Sequence, residues 1–172
     1  MSMRAELRSD LDLIKFEINE VTYYAVAIPE HPKWFASTCG FIISDKKEVP
    51  AVLKGTMRHR GALDVGHRVS GKMKFEKVHR LVARAFFSDA GQDAAGRERN
   101  EVNHINGDTC CNRVTNLEWC SRSENINHAL TVLQAADYKH IAARNRRPQY
   151  GNTAATEAKR KELLLSQTTK AA

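Results

Sequence analysis

Three stretches of this sequence hold side chains whose types and spacing could hydrolyse a phosphate ester. The first is Val78-His79-Arg80-Leu81-Val82-Ala83 and the second Val102-Asn103-His104-Ile105-Asn106-Gly107-Asp108. The third runs from Asn112-Arg113-Val114-Thr115-Asn116-Leu117-Glu118-Trp119-Cys120 into Ser123-Glu124-Asn125-Ile126-Asn127-His128-Ala129. Such hydrolysis needs a water made nucleophilic, an in-line approach, and relief of the charge that builds on the phosphate and the leaving oxygen. A neutral imidazole accepts the water's proton near pH 7. A hard divalent cation relieves the charge, and Mg²⁺ takes oxygen ligands in near-octahedral geometry while keeping several waters. Between them, the three stretches carry the imidazoles and the amide oxygens this chemistry requires.

Over residues 78–129 the sequence resembles the HNH endonucleases, in particular the phage- and intron-encoded homing type. A fainter likeness covers Trp34 to Ser44, where Trp34, Ser37, Gly40, Ile42 and Ser44 match a short module that often precedes such nuclease domains. The resemblance implies a ββα-metal unit, two antiparallel strands and a helix around one divalent cation. It also implies roles. His104 is the expected general base, with Asn125 and His128 in the catalytic set; Asn103 and Asn125 are the expected metal ligands. His128 lies on the same helical face as Asn125 and either contacts the phosphate or metal or caps the site. His79, Asn112 and Asn116 are expected to be structural, His79 by packing or hydrogen bonding and the two asparagines by bracing the loop between the strands. Asp108 reads as a turn residue after Asn106-Gly107. Mg²⁺ is the expected ion, with Mn²⁺ as a substitute, and no zinc is expected.

Asn103 carries a tension. Neighbours on a regular strand point to opposite faces. For Asn103 and His104 to reach one phosphate, either the strand is twisted or bulged there or the cation sits at its edge. Some relatives have Asp where this chain has Asn103, so two neutral amides would offer the cation no formal charge. Glu101 and Asp108 are the nearby carboxylates that could change that balance.

Around these residues the pattern is mixed. Leu7, Leu11 and Ile14 recur near helical spacing and predict a short N-terminal helix. Val21 to Ile28 reads as a strand, and Trp34 to Ser44 as two short strands with a turn at Gly40. Residues 45–77 fit short strands joined by basic turns. Val78, Leu81, Val82, Ala85 and Phe86 fall on one face of a helix. Strands follow at Glu101 to Ile105 and Leu117 to Cys120. Ser121 with Glu124 three residues on is a capping-box signature that opens a helix carrying Asn125. Ala154 to Leu165 reads as a final basic helix. The expected architecture is α+β: an N-terminal β-rich segment (1–77), a ββα-metal nuclease core (78–130) and a basic helical tail (131–172).

Composition adds the partner. With Lys+Arg 27 against Asp+Glu 20, the net charge is +7, which favours polyanions, double-stranded DNA first among them. Lys54, Arg58, Arg60, Arg68, Lys72 and Lys74 in the β-rich segment, and Arg144, Arg146, Arg147, Lys159, Arg160 and Lys161 in the tail, are the candidate phosphate contacts; a solvated charged face is the bland alternative. The 42% hydrophobic share is that of a folded protein. No apolar run approaches the roughly 18 residues that span a membrane, and Met1 to Asp12 lacks a signal peptide's apolar centre. The expectation is a cytoplasmic protein with reduced thiols. Cys39, Cys110, Cys111 and Cys120 lack the paired spacing of a zinc site. His31, His59, His67 and His140 have no companions at ligand spacing and read as surface or DNA-facing groups. The competing reading is a DNA-binding module with a decayed site that cleaves nothing.

Overall fold

Ile14, Phe16 and Ile18 alternate with Lys15 and Glu17, and that period of two wins over the helical spacing of Leu7, Leu11 and Ile14. In the computed structural model, which describes residues 7–58, 61–88 and 91–133, this segment is strand β1 (Ile14–Ile18), paired antiparallel with β2 (Val21–Ala27). The expected helix through Leu11 and Ile14 is replaced by extended chain for a local reason. Asn19 and Glu20 both take positive φ, 49° and 63°, the two-residue reversal whose twist suits a hairpin. Leu7 bridges to Phe87 instead of starting a helix.

The hairpin continues through β3 (Trp34–Ser37), β4 (Ile42–Ser44) and β5 (Ala51–Val52) as a five-stranded antiparallel sheet in sequence order. A second sheet holds β6 (Thr56–Met57), β7 (Leu63–Val69) and β8 (Lys72–Lys77). Helix α1 (Val78–Phe86) follows directly, then the antiparallel pair β9 (Glu101–His104) and β10 (Leu117–Cys120), and helix α2 (Arg122–Thr131). A single 3₁₀ turn, Val114–Asn116, leads into β10.

α1 is the hub. Leu81, Val82, Ala83, Ala85 and Phe86 are fully buried, and the helix touches strands of all three sheets. Its apolar stripe joins Val26, Ile28, Trp34, Ala36, Ile42 and Val65 on one side to Val102, Val114 and Leu117 on the other in one core cluster. Packing therefore runs without a break across residue 77. Truncating a side chain such as Phe86 at this centre costs about 3–5 kcal/mol, and it would loosen β9 and the N-terminal strands together.

The hairpin β7–β8 divides its basic residues between two faces. By alternation and register, Lys72 and Lys74 share a face with His67 and Glu76, while Arg68 lies on the other with Met73 and Phe75. On that second face the Arg58 guanidinium sits 4.1 Å from the Phe75 ring centroid. Among the described residues, no helix is long and apolar enough to cross a membrane.

Candidate active site

The register of β9 and β10 sets Asn103 opposite Glu118 and His104 opposite Leu117. Alternation is kept, so Asn103 and Glu101 share one face and His104 the other. His104 is the last residue of β9. α2 covers the Asn103 face: Asn125 donates from Nδ2 to Glu101 Oε2 at 2.8 Å. Asn103 donates from Nδ2 to Glu118 Oε1, also at 2.8 Å. A carboxylate can only accept, so each amide must turn its nitrogen to the acid and its oxygen away. Glu118, which the sequence reading passed over, is 7% exposed. The signal that finds it is the cross-strand register, not the motif.

On the opposite face His104 is buried, and its Nε2 lies 3.0 Å from Asn112 Oδ1. An amide oxygen accepts, so the imidazole proton sits on Nε2 and Nδ1 keeps its lone pair. Burial pushes the His104 imidazole below its ordinary value, with the Asn112 hydrogen bond and the Asp108 charge opposing that in part. The neutral form is thus the resting form. The His79 ring meets the His104 ring edge-on, centroids 5.1 Å apart. Burial first, then the His104, Lys77 and Arg80 charges, bring His79 down to about 3, so His79 packs as a neutral wall.

The loop between the strands is braced by its own asparagines. Asn116 accepts from the Asn106 amide at 3.0 Å and donates to the Cys111 carbonyl at 2.7 Å. Asn112 differs from that pattern: its side chain turns to His104 rather than to the backbone. Asn106 and Asp108 each accept from an amide two residues on, which tightens the turn at Gly107. Cys110 donates to the Gly61 carbonyl, and Cys120, pushed up to about 12 by burial and then by Glu101, Glu118 and Glu124, donates to the Glu101 carbonyl.

One wall of this loop comes from the N-terminal sheet. Gly40, at the β3–β4 turn with φ 90°, abuts the Asn112 backbone so closely that a Cβ would lie 2.3 Å from its carbonyl carbon and oxygen. The Val114 amide donates to the Thr38 carbonyl at 3.2 Å in the same contact. Only glycine tolerates both the φ and the approach.

α2 is fixed at its start. Ser121 accepts from the Glu124 amide at 3.2 Å while Glu124 accepts from the Ser121 amide at 2.9 Å, a complete capping box. The Ser121 hydroxyl donates to Asp93 at 2.7 Å, and Arg99 grips Glu124 with two nitrogens, at 3.0 and 2.9 Å. The Ser121 hydroxyl and then the Arg97 amide hold Asp93 well below the usual carboxylate range. Neither Asp93 nor Arg99 stands within the motif. His128 lies three residues beyond Asn125, and its Nδ1 is buried with no hydrogen-bond partner among the described residues. A groove lined by Arg97, Asn100, Glu101, Arg122, Ser123 and Ile126 opens beside the Asn125–Glu101 pair.

Of the expected DNA contacts, Lys54, Arg58, Arg68, Lys72 and Lys74 are exposed. Arg60, Arg144, Arg146, Arg147, Lys159, Arg160 and Lys161, and the expected helix at Ala154 to Leu165, lie outside the described residues.

Comparison with known proteins places the same segment. Residues 76–126 match the HNH endonuclease family. An uncharacterized HNH endonuclease, L247 of Acanthamoeba polyphaga mimivirus, is 46% identical over 55 residues, 32% of this chain and 13% of that protein. YosQ, from the SPbeta prophage of Bacillus subtilis (strain 168), is named for the HNH homing endonucleases; it is 33% identical over 105 residues, 61% of this chain and 56% of YosQ. Among solved structures, one described as DNA binding and cleavage by the HNH homing endonuclease I-HmuI superposes with a TM-score of 0.50 at 27% identity, over 69% of this chain and 66% of the other. The chain thus spans from about an eighth to about half the length of these curated relatives.

Proposed function

We propose, from the premise that residues 76–126 belong to the HNH endonuclease family, that this chain is a metal-dependent DNA endonuclease of the site-specific homing type, hydrolysing phosphodiester bonds in double-stranded DNA. The observation that carries the reading is the shared orientation of two amides. Asn103 and Asn125 each give their nitrogen to a carboxylate, and Asn103 is the chain neighbour of the buried imidazole of His104.

Two amide oxygens backed by Glu118 and Glu101 fit a hard divalent cation, Mg²⁺ with Mn²⁺ as a substitute. Asn103 and Asn125 would hold it, and the two carboxylates, one hydrogen bond removed, would supply the negative charge the amides lack. When bound, such an ion stabilises charge on a nonbridging phosphate oxygen and on the leaving oxygen. The protein's own residues do the rest. His104 takes the water's proton at Nδ1, Asn112 holds the Nε2 proton and so fixes the tautomer, and His79 keeps the ring from turning. The phosphate would be reached at the end of β9, of which His104 is the last residue. The Nδ1 of His128, without a hydrogen-bond partner among the described residues, suits a contact to that phosphate. Lys54, Arg58, Arg60, Arg68, Lys72, Lys74 and the basic tail would track the duplex backbone, contacts that position without specifying sequence. One site per chain cuts one strand; a double-strand break requires a second copy or a second visit.

The test is cleavage of supercoiled and linear DNA from the native source in Mg²⁺ or Mn²⁺, comparing the wild type with His104→Ala and with an EDTA control. Metal-dependent cutting that disappears in His104→Ala is expected, with a loss of about 10²-fold or more. DNA binding retained by both proteins with cutting by neither would replace this reading with that of a non-cleaving DNA-binding module.

A further inference from the structure

The loop after β2 and the β7–β8 hairpin bring together three side chains that are far apart in sequence. His31 Nε2 lies 3.0 Å and His67 Nε2 2.8 Å from one oxygen of Glu76, Oε1. The ligand atoms all lie within 4.8 Å of one another. The three side chains are only 13%, 11% and 13% exposed. Each is supported from behind. The His31 ring stacks on Trp34 with centroids 4.8 Å apart, and Trp34 meets the His67 ring at 5.0 Å. Arg84 takes the other Glu76 oxygen, Oε2, at 3.1 Å, which leaves Oε1 as the atom on which both imidazoles converge.

We propose that His31, His67 and Glu76 form a zinc site, separate from the nuclease centre, with water as the fourth ligand. Two imidazole nitrogens and one carboxylate oxygen are a donor set that suits Zn²⁺ and does not suit Mg²⁺. Zinc bonds of about 2.0–2.2 Å put tetrahedral ligand atoms roughly 3.4 Å apart. The two short contacts to Oε1 need open only by about half an ångström, a small side-chain rotation. Arg84 restricts Glu76 to single-oxygen ligation and orients it, as a supporting partner does for a metal ligand. The expectation of no zinc rested on cysteine spacing; these donors come from a loop and a hairpin that only the fold juxtaposes. The ion would staple the Pro29–Pro32 loop to the hairpin that carries Arg68, Lys72 and Lys74, and so hold that basic element against the core.

The full chain, stripped with chelator, is titrated with Zn²⁺ by calorimetry beside His67→Gln and His104→Ala. One equivalent is expected to bind the wild type and His104→Ala alike. His67→Gln should lose more than the roughly 10–100-fold in affinity that removal of a supporting partner costs, and one equivalent of Zn²⁺ should raise the thermal midpoint only where His67 is present. Failure to bind would overturn the proposal. So would tight binding kept by His67→Gln and lost in His104→Ala, which would put the ion in the nuclease centre. Should His67→Gln not fold, zinc-edge X-ray absorption of loaded His104→Ala reads the ligands directly. Two imidazoles and oxygen are expected; sulfur, or a single imidazole, would overturn the site.

Discussion

At the residue scale, the acid opposite Asn103 decides what Asn103 can offer. Glu118 accepts and cannot donate, so it fixes the Asn103 amide with its oxygen free. Glu118→Gln keeps the shape, introduces a donor, and removes the charge. The Mg²⁺ concentration for half-maximal cleavage is expected to rise about 10–100-fold with little change in thermal midpoint, as read from a Mg²⁺ titration of cleavage in both proteins. An unchanged titration would count against Asn103 as a ligand. His104, Asn103 and Asn125 could be nominated from the sequence because they stand in one ordered motif. Glu118 could not be singled out, because its role exists only through the β9–β10 register that sets it opposite Asn103. His31 and His67 were invisible for a similar reason: no spacing along the chain foretells that a loop and a hairpin will meet at Glu76.

At the element scale, α2 presents Asn125 from its first turn, so its start governs the geometry of the site. The Ser121–Glu124 capping box was legible as a pair of letters three apart. The Asp93 and Arg99 that reinforce it lie between α1 and β9, far from α2 in sequence, and were not legible. Ser121→Ala removes the acceptor for the Glu124 amide and the donor to Asp93 together. A cost of about 1–2 kcal/mol is expected, which in a chain of this size lowers the thermal midpoint by about 2–6 °C. Cleavage should fall by more than stability alone explains, since the first turn then frays under Asn125. Differential scanning calorimetry and cleavage at a temperature well below the midpoint separate the two effects. The strands at 21–27, 34–37 and 42–44 were foreseen from β-branched and aromatic runs. β1 was not, because Ile14, where its period of two begins, also completes the helical spacing of Leu7 and Leu11, and the Asn19-Glu20 reversal carries no glycine to announce it.

At the scale of the whole molecule, the core is continuous from the N-terminal sheet through α1 to β9 and β10, so stability is shared. His79 lies inside that structure, neutral, with its imidazole at about 3 against an ordinary 6.5. Between those values the unfolded chain binds a proton that the native chain refuses. The native state is therefore at no disadvantage above pH 6.5 and loses stability as pH falls below it, down to about 3. From pH 6.5 to 5 the loss from this group is roughly 2 kcal/mol. Urea unfolding at pH 7 and pH 5 should show that extra loss in the wild type and not in His79→Leu; equal losses in both would mean that other groups control acid sensitivity.

The contact between Gly40 and the Asn112 backbone bears on how such a protein can be assembled from parts. The sequence around the β3–β4 turn faintly resembles a module that often precedes nuclease domains, a segment that looks exchangeable in one dimension. Here its tip forms one side of the socket that holds Asn112, the hydrogen-bond partner of His104, at a separation that admits no methyl group. A chain cut before α1 would keep His104, Asn103 and Asn125 and lose the surface that seats Asn112. Exchange of the N-terminal segment between relatives is therefore limited to donors that bring the same glycine at the same turn. The N-terminal sheet and the loop that carries Asn112 cannot be inherited independently in this chain.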